Sequence, residues 1–268
     1  MITVIKASGE KEEFSEEKVK NSIQRAGIPQ ELQSHVLSHV KQKIYENIPT
    51  SEIYHHIIEF LGNSSSPYSK TRYGLKQAIM AFGPTGYPLE DFVAKLLEAN
   101  GYKTSVRNSM QGKCVTHEVD VVAVKGEKKV MIEVKFHNQP GTKTNIHVAL
   151  YTKARFNDLL ERNDLNEAWI ITNTKITTDA ITYALCMGMK VTSWDYPEGE
   201  SLRDMIEKSG LTPVTVLTTL PKSSLQNLLT QGVVLCRDLH KNPNLLVNMP
   251  EDKRKIVLEE INFVCKIS

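Results

Sequence analysis

The sequence predicts an α+β multidomain protein, and three observations carry that expectation. Up to Gly83-Pro84, two short β-prone runs precede four segments with helical periodicity. From about residue 85 to 200, after one amphipathic helix, the patterns run strand, strand, helix, strand, helix, strand, the order of an α/β sandwich with a mixed sheet. Beyond residue 200 the patterns are helical and punctuated by Gly and Pro. We therefore expect three regions, 1–84, 85–200 and 201–268.

In the first region Ile2 to Ile5 is a strand, and Ser8-Gly9 turns it toward a hairpin partner at Glu12 to Phe14. Ser15 caps the next helix, with Glu16 and Glu17 in its first turn where the helix dipole favours anions. Val19, Ile23 and Ala26 form its apolar stripe, and Gly27 stops it. Pro29 starts a second helix, in which Leu32, Val36, Val40 and Ile44 recur every four residues. Its His35 and His39 read as solvent-facing, since no nearby Cys or Asp completes a zinc set. Thr50 caps a third helix carrying Ile53, Ile57 and Phe60, and a fourth runs from about Ser69 to Phe82.

These elements resemble the ATP-cone, the nucleotide-binding module of ribonucleotide reductases and of the repressor of their genes. The matching residues are Val4-Ile5-Lys6, Gly9, Glu12, Phe14, Lys18-Val19, Thr50 through Tyr54, and Arg72-Tyr73. The resemblance implies ATP or dATP contacts from Lys6, Lys18 and Thr50, with Val4 and Tyr54 beside them. Two cations suit phosphates, and a hydroxyl at a helix N-terminus suits an anion. Ala7 stands where the family usually has Arg, so one phosphate-binding cation is missing. The alternative is a cone kept as a packing or dimerisation module.

The middle region opens on the helix of Phe92, Val93, Leu96 and Leu97. Glu90 in its first turn either reaches a metal site or only favours the dipole. His117 to His137 then reads as a hairpin about Lys125-Gly126-Glu127. Strand alternation gives Met131, Glu133, Lys135 and His137 one face, and Glu118, Asp120, Val122 and Val124 one face of the partner strand. Two carboxylates and a lysine thus converge at one end of an apolar sheet, where charge is costly unless paired or bound to a cation. Asp120 and Glu133 suit Mg²⁺, and Lys135 suits an attacking water or the charge developing on phosphorus. The plainer alternative is an exposed strand face with ordinary charges.

This arrangement resembles the PD-(D/E)XK nuclease superfamily, in its Mrr-like restriction endonuclease branch. Asp120 is followed by Glu133-Val134-Lys135, and Gly86 to Tyr102 matches the branch's opening helix with Glu90 in place. Tyr151 fits the branch's Gln-x-x-x-Tyr signature, while His147 replaces the Gln. The resemblance implies Asp120 and Glu133 as metal ligands and Asp120, Glu133, Lys135, Glu90 and Tyr151 as the catalytic set. Lys143, Lys153 and Arg155 either contact a phosphate backbone or form a solvated face. Ala149 to Leu160 is a helix, Trp169 to Ile171 a buried strand, Thr177 or Thr178 caps another helix, and Lys190 to Trp194 is the last strand.

In the tail, helices are expected over Leu202 to Lys208, Pro221 to Leu229 and Pro250 to about Cys265. This region either binds nucleic acid or dimerises. Over the 268 residues net charge is only +2, so nucleic-acid contact requires a local patch. No apolar run has membrane-span length, the N-terminus lacks a signal-peptide pattern, and four scattered cysteines indicate neither a disulfide framework nor a zinc cluster. A cytoplasmic protein is expected. The expected function is a nucleotide-responsive, Mg²⁺-dependent DNA endonuclease of restriction or defence type, acting as a homo-oligomer. The alternative is a non-catalytic, ATP- or dATP-dependent oligomerising regulator that binds nucleic acid.

Overall fold

The structure, a computed structural model, describes residues 2–26, 28–64, 69 and 73–265; Gly27 and Arg72 lie outside them. The chain packs as two units. One comprises Met1–Ala78, Pro213–Leu225 and Cys236–Ser268, the other Ile79–Thr212 and Gln226–Leu235.

In the first unit, β1 (Thr3–Ile5) pairs antiparallel with β2 (Lys11–Glu13), with Gly9 at φ 83° in the turn. Helix α1 (Glu16–Arg25) is capped by Ser15, whose hydroxyl accepts the Lys18 N–H at 3.2 Å; such a cap is worth about 1 kcal/mol. Then come α2 (Gln30–Lys43), β3 (Ile48–Pro49), α3 (Thr50–Gly62) and α4 (Leu75–Met80). The sequence reading did not anticipate β3, which is only two residues long and pairs in parallel with β1 at Ile5↔Pro49. Thr50 is the first helical residue of α3 and Pro49 its cap, so Thr50 does not cap the helix as expected. His39 is not solvent-facing: its ring lies 5.2 Å from that of Phe60, and its buried Nε2 has no hydrogen-bond partner. Val4, Ile23, Val36, Ile48 and Ile57 form the core.

The second unit holds α5 (Tyr87–Ala99), β4 (Lys103–Gln111), β5 (Thr116–Lys125), β6 (Lys128–Lys135), β7 (Lys143–Thr144), α6 (Ile146–Asn163), β8 (Glu167–Thr172), β9 (Lys175–Ile176), α7 (Thr178–Cys186), β10 (Lys190–Thr192) and α8 (Leu202–Ser209). Its main sheet has the order β10-β8-β6-β5-β4. Strands β6, β8 and β10 run parallel, while β4, β5 and β6 run antiparallel, so the sheet is mixed. Val121, Val122 and Ala123 are all buried, because both faces of β5 are covered; a continuous apolar run replaces alternation in such a strand. Edge strand β4 was missed by sequence reading because KTSVRNSMQ contains few apolar residues and buries only Met110.

The tail contributes a 3-10 turn (Val214–Val216), α9 (Lys222–Thr230), α10 (Cys236–Lys241), a second 3-10 turn (Pro243–Leu246) and α11 (Glu251–Cys265). Glu260 of α11 is fully buried and accepts the backbone N–H and hydroxyl of both Thr218 and Thr219, at 2.6–3.1 Å. A buried carboxylate is tolerable only when donors replace its water in this way. No described helix is long and apolar enough to cross a membrane.

Candidate active site

The ladder between β5 and β6 ends at Val121↔Ile132, and that between β4 and β5 passes from Val106↔Val121 to Asn108↔Val119. Between those pairs Arg107 takes a left-handed φ of 52°, rare for a residue with a Cβ. Asp120 sits where β5 leaves β6 and where its ladder with β4 is interrupted opposite Arg107 before resuming at Val119. Its Oδ2 accepts the Val134 N–H at 2.7 Å, filling the place of a ladder bond. Past Ile132, strand β6 keeps only its parallel pairing with β8, through Lys135↔Thr172, so Glu133 and Lys135 project beside Asp120 at the carboxyl end of a parallel strand. Open α/β sheets commonly bind ligands at such an end.

Helix α6 supplies the opposite wall. Asn145 caps it, accepting the His147 N–H at 3.1 Å, and the His147 side chain is exposed. One turn on, the Tyr151 hydroxyl donates to Glu133 Oε1 at 2.7 Å and accepts from Lys135 Nζ at 3.1 Å. Burial, then the charge of Glu133, pushes the Tyr151 phenol far above its ordinary range, so it remains a donor. Arg155 Nη1 lies 2.5 Å from Glu133 Oε2. Arg155 therefore does not belong to a solvated lysine and arginine patch; it neutralises a carboxylate that is 5% exposed.

Glu90, in the first turn of α5, is also buried. Its carboxyl is pushed up to about 7, mainly by burial and then by the charge of Asp120, against the pull of Arg107. Asp120 is pushed up to about 6 by burial and then by Glu133, with the Val134 N–H, Arg155 and Lys135 opposing. Glu90, Asp120 and Glu133 thus form one electrostatic cluster. Arg107 holds its outer end, 3.4 Å from Glu90 Oε2 and 2.8 Å from Asp91 Oδ1, with its guanidinium 5.5 Å from the centre of the Tyr87 ring.

Past Lys135 the chain is pinned. The Asn173 side chain accepts the His137 N–H and donates to the His137 carbonyl, both at 2.8 Å. The imidazole of His137 contacts Thr144 Oγ1 at 3.0 Å, and burial, then Lys135, lowers its pKa. Sequence reading missed Arg107, Arg155 and Asn173 as parts of this neighbourhood. Only Arg155 left a signal, its spacing of four from Tyr151 on one helix face.

Among the described residues no group of three His, Cys, Asp or Glu side chains forms a ready metal-ligand set. Two clustered carboxylates nonetheless match a hard divalent cation, which takes one or two carboxylates and completes its shell with water or substrate oxygens. Burial and then the charge of Glu133 raise Asp120, and such a cation offsets both by pairing with the two carboxylates.

In the other unit, Lys6 and Lys18 converge on one carboxylate, each 2.8 Å from Glu12 Oε2. The β1–β3 register puts Thr50, just after Pro49, beside the chain position of Lys6. Tyr54 lies one turn along α3 and stacks on Tyr73 at 5.5 Å, its phenol pushed up to about 12 by burial. Val4 is buried in the core, so only its backbone lies at the strand surface.

Fold and site together define a restriction-endonuclease-like domain joined to an ATP cone, and family comparisons find both. The ATP cone domain matches residues 2–72, the restriction endonuclease domain of Mrr type residues 84–205, and an AF1548-like C-terminal domain residues 213–265. An uncharacterized protein of Archaeoglobus fulgidus is 44% identical over 147 residues, which is 55% of this chain and 83% of the relative. The crystal structure of AF1548, a protein of unknown function, is similar with a TM-score of 0.60 and 38% identity, covering 69% of this chain and all of that one. The chain belongs to this AF1548-like family and carries an ATP cone besides. Can2 from Sulfobacillus thermosulfidooxidans, solved with cyclic tetra-adenylate, matches with a TM-score of 0.32 and 15% identity over 75% of this chain and 64% of Can2, too remote to inform fold or ligand.

Proposed function

We propose that this protein is a nucleotide-responsive, Mg²⁺-dependent DNA endonuclease of restriction or defence type, cytoplasmic and homo-oligomeric. Region 1–84 senses ATP or dATP, region 85–200 cuts, and region 201–268 dimerises or binds nucleic acid. The observation that carries the reading is the convergence of Asp120, Glu133 and Lys135 where β5 and β6 part. A surface strand with ordinary charges has no reason to bury one carboxylate beside a second, half-buried one.

Asp120 and Glu133 hold the cation, and Glu90 tunes the charge of the pair from α5. A Mg²⁺ held by these two carboxylates would supply Lewis-acid polarisation of the scissile phosphate and a more acidic water. Lys135, with its ammonium 3.1 Å from the Tyr151 hydroxyl and 39% exposed, orients that water or meets the charge developing on the phosphoryl oxygens. Tyr151 fixes the Glu133 carboxylate and the lysine at once. In the cone, Lys6 and Lys18 take nucleotide phosphates and Thr50 supplies a hydroxyl at the α3 start.

A plasmid-nicking assay with Mg²⁺ or Mn²⁺, with and without ATP, on methylated and unmethylated DNA tests this. Glu133→Gln and Asp120→Asn should abolish cleavage with the fold intact, and Lys135→Ala should abolish cleavage while retaining metal. Equal cleavage by Glu133→Gln and the parent protein would place the chemistry elsewhere. A parent protein that cuts under none of these conditions but binds DNA and oligomerises with nucleotide would support the second reading, a non-catalytic regulator. That reading is favoured by one observation: both Glu133 oxygens are already engaged.

A further inference from the structure

The charge-paired contact between Arg155 and Glu133 is one that a metal nuclease must break or share. Glu133 Oε2 lies 2.5 Å from Arg155 Nη1, and Oε1 accepts the Tyr151 hydroxyl. A guanidinium at that range supplies part of the positive charge that a divalent cation would bring to the same carboxylate. Tyr151 is neutral and can stay when a cation arrives; Arg155 brings like charge against it.

Arg155 also has somewhere to go. Its side chain is 25% exposed, and the Tyr151 ring centre, 5.5 Å from its guanidinium carbon, gives it an aromatic surface to pivot against. The planar fork of an arginine matches a phosphate as well as a carboxylate. Lys135, the neighbouring cation on β6, is 3.9 Å from Glu133 Oε1, so a phosphate drawn toward it arrives beside Arg155.

We propose that Arg155 competes with the divalent cation for Glu133 and passes to a backbone phosphate of the nucleic acid, so that substrate and metal bind with positive coupling. This rests on the reading of Asp120 and Glu133 as the metal pair. Without substrate, the arginine holds Glu133 and metal affinity is low. A phosphate that takes the guanidinium frees Oε2, and metal affinity rises. Linkage makes the effect mutual: bound metal releases Arg155 and strengthens substrate binding by the same factor. Arg155 is on this account a positioning residue and a phosphate contact in turn, and the site is armed only by its substrate.

The test is calorimetric titration of the full-length protein with Mn²⁺, alone and with a phosphorothioate DNA duplex that resists cleavage. In the parent protein DNA should tighten Mn²⁺ binding about tenfold or more, within the usual range of coupling between sites. Arg155→Gln should bind Mn²⁺ more tightly than the parent protein without DNA, and should lose most of the DNA effect. Arg155→Lys, which keeps charge but not the fork, should fall between; it also serves if the glutamine variant folds poorly. Circular dichroism checks the fold, and a midpoint lowered in metal-free Arg155→Gln but restored in the double variant with Glu133→Gln would show that the pair is the one broken. Unchanged or weaker Mn²⁺ binding in folded Arg155→Gln overturns the proposal, as does a parent protein whose Mn²⁺ affinity ignores DNA. If the coupling is seen without any cleavage, this inference stands and the catalytic reading fails. If no Mn²⁺ binds with or without DNA, the metal pair fails and the inference falls with it.

Discussion

Replacing Asp120 by Asn should stabilise the metal-free protein at neutral pH, against the usual cost of changing a half-buried, hydrogen-bonded polar residue. The carboxyl of Asp120 is pushed from 3.8 to about 6 by burial and by Glu133. A folded-state pKa above the unfolded one means that the protonated form is favoured in the folded protein. Stability from this group is then fully present below about pH 4 and is lost as pH rises through about 6. A shift of about two units corresponds to roughly 3 kcal/mol at 1.36 kcal/mol per unit, an upper bound because Asp120 is only half-buried. Asn keeps the carbonyl oxygen that accepts the Val134 N–H, so the local backbone contact survives. Thermal unfolding in EDTA from pH 4 to 8 should show the parent protein losing stability relative to Asp120→Asn by about 1–3 kcal/mol, or roughly 2–10 °C. Adding Mg²⁺ at pH 8 should restore the parent protein and leave the variant unchanged. Parallel pH profiles, or a variant less stable at pH 8 than at pH 4 relative to the parent, would refute the argument that burial and the neighbouring Glu133 disfavour the ionised Asp120 carboxylate.

Three further expectations follow from the other regions. Titration of the full-length protein with ATP or dATP should give binding that Lys6→Ala and Lys18→Ala each weaken roughly tenfold, and that Glu12→Gln strengthens by releasing both lysines; no binding at millimolar nucleotide by folded protein would remove the cone from the functional account. Light scattering should find a homo-oligomer whose size changes with ATP, and a monomer under both conditions counts against the proposed assembly. Glu260→Ala should cost about 3 kcal/mol or more in denaturant unfolding because the Thr218 and Thr219 donors lose a buried acceptor, while Glu260→Gln should cost less.

Local pattern alone carried much of the architecture. Ser15 as a cap, the turn at Gly126, the β-run of β8 and the Gly210 stop after α8 each depend on a few neighbouring residues, and the α+β class follows from their order, while the cone and endonuclease domains were legible through family resemblance. Alternation along β6 put Glu133 and Lys135 on one face before any coordinate was known. What only the tertiary structure decided depends on partners far along the chain. The alternation assumed for β5 fails near Asp120, because β6 parts from it there, the β4 ladder is interrupted opposite Arg107, and Val119 joins Val122 in one core cluster. Two-residue β3 exists only because β1 gives it partners, and polar β4 only because β5 does. The placement of Arg155 on Glu133 across 22 residues, of Arg107 on Glu90 across 17, and of Asn173 on His137 across 36 left almost no periodic trace. Charge pairing across a fold depends on where two backbones meet, and a one-dimensional pattern records which face a side chain takes but not what comes to face it.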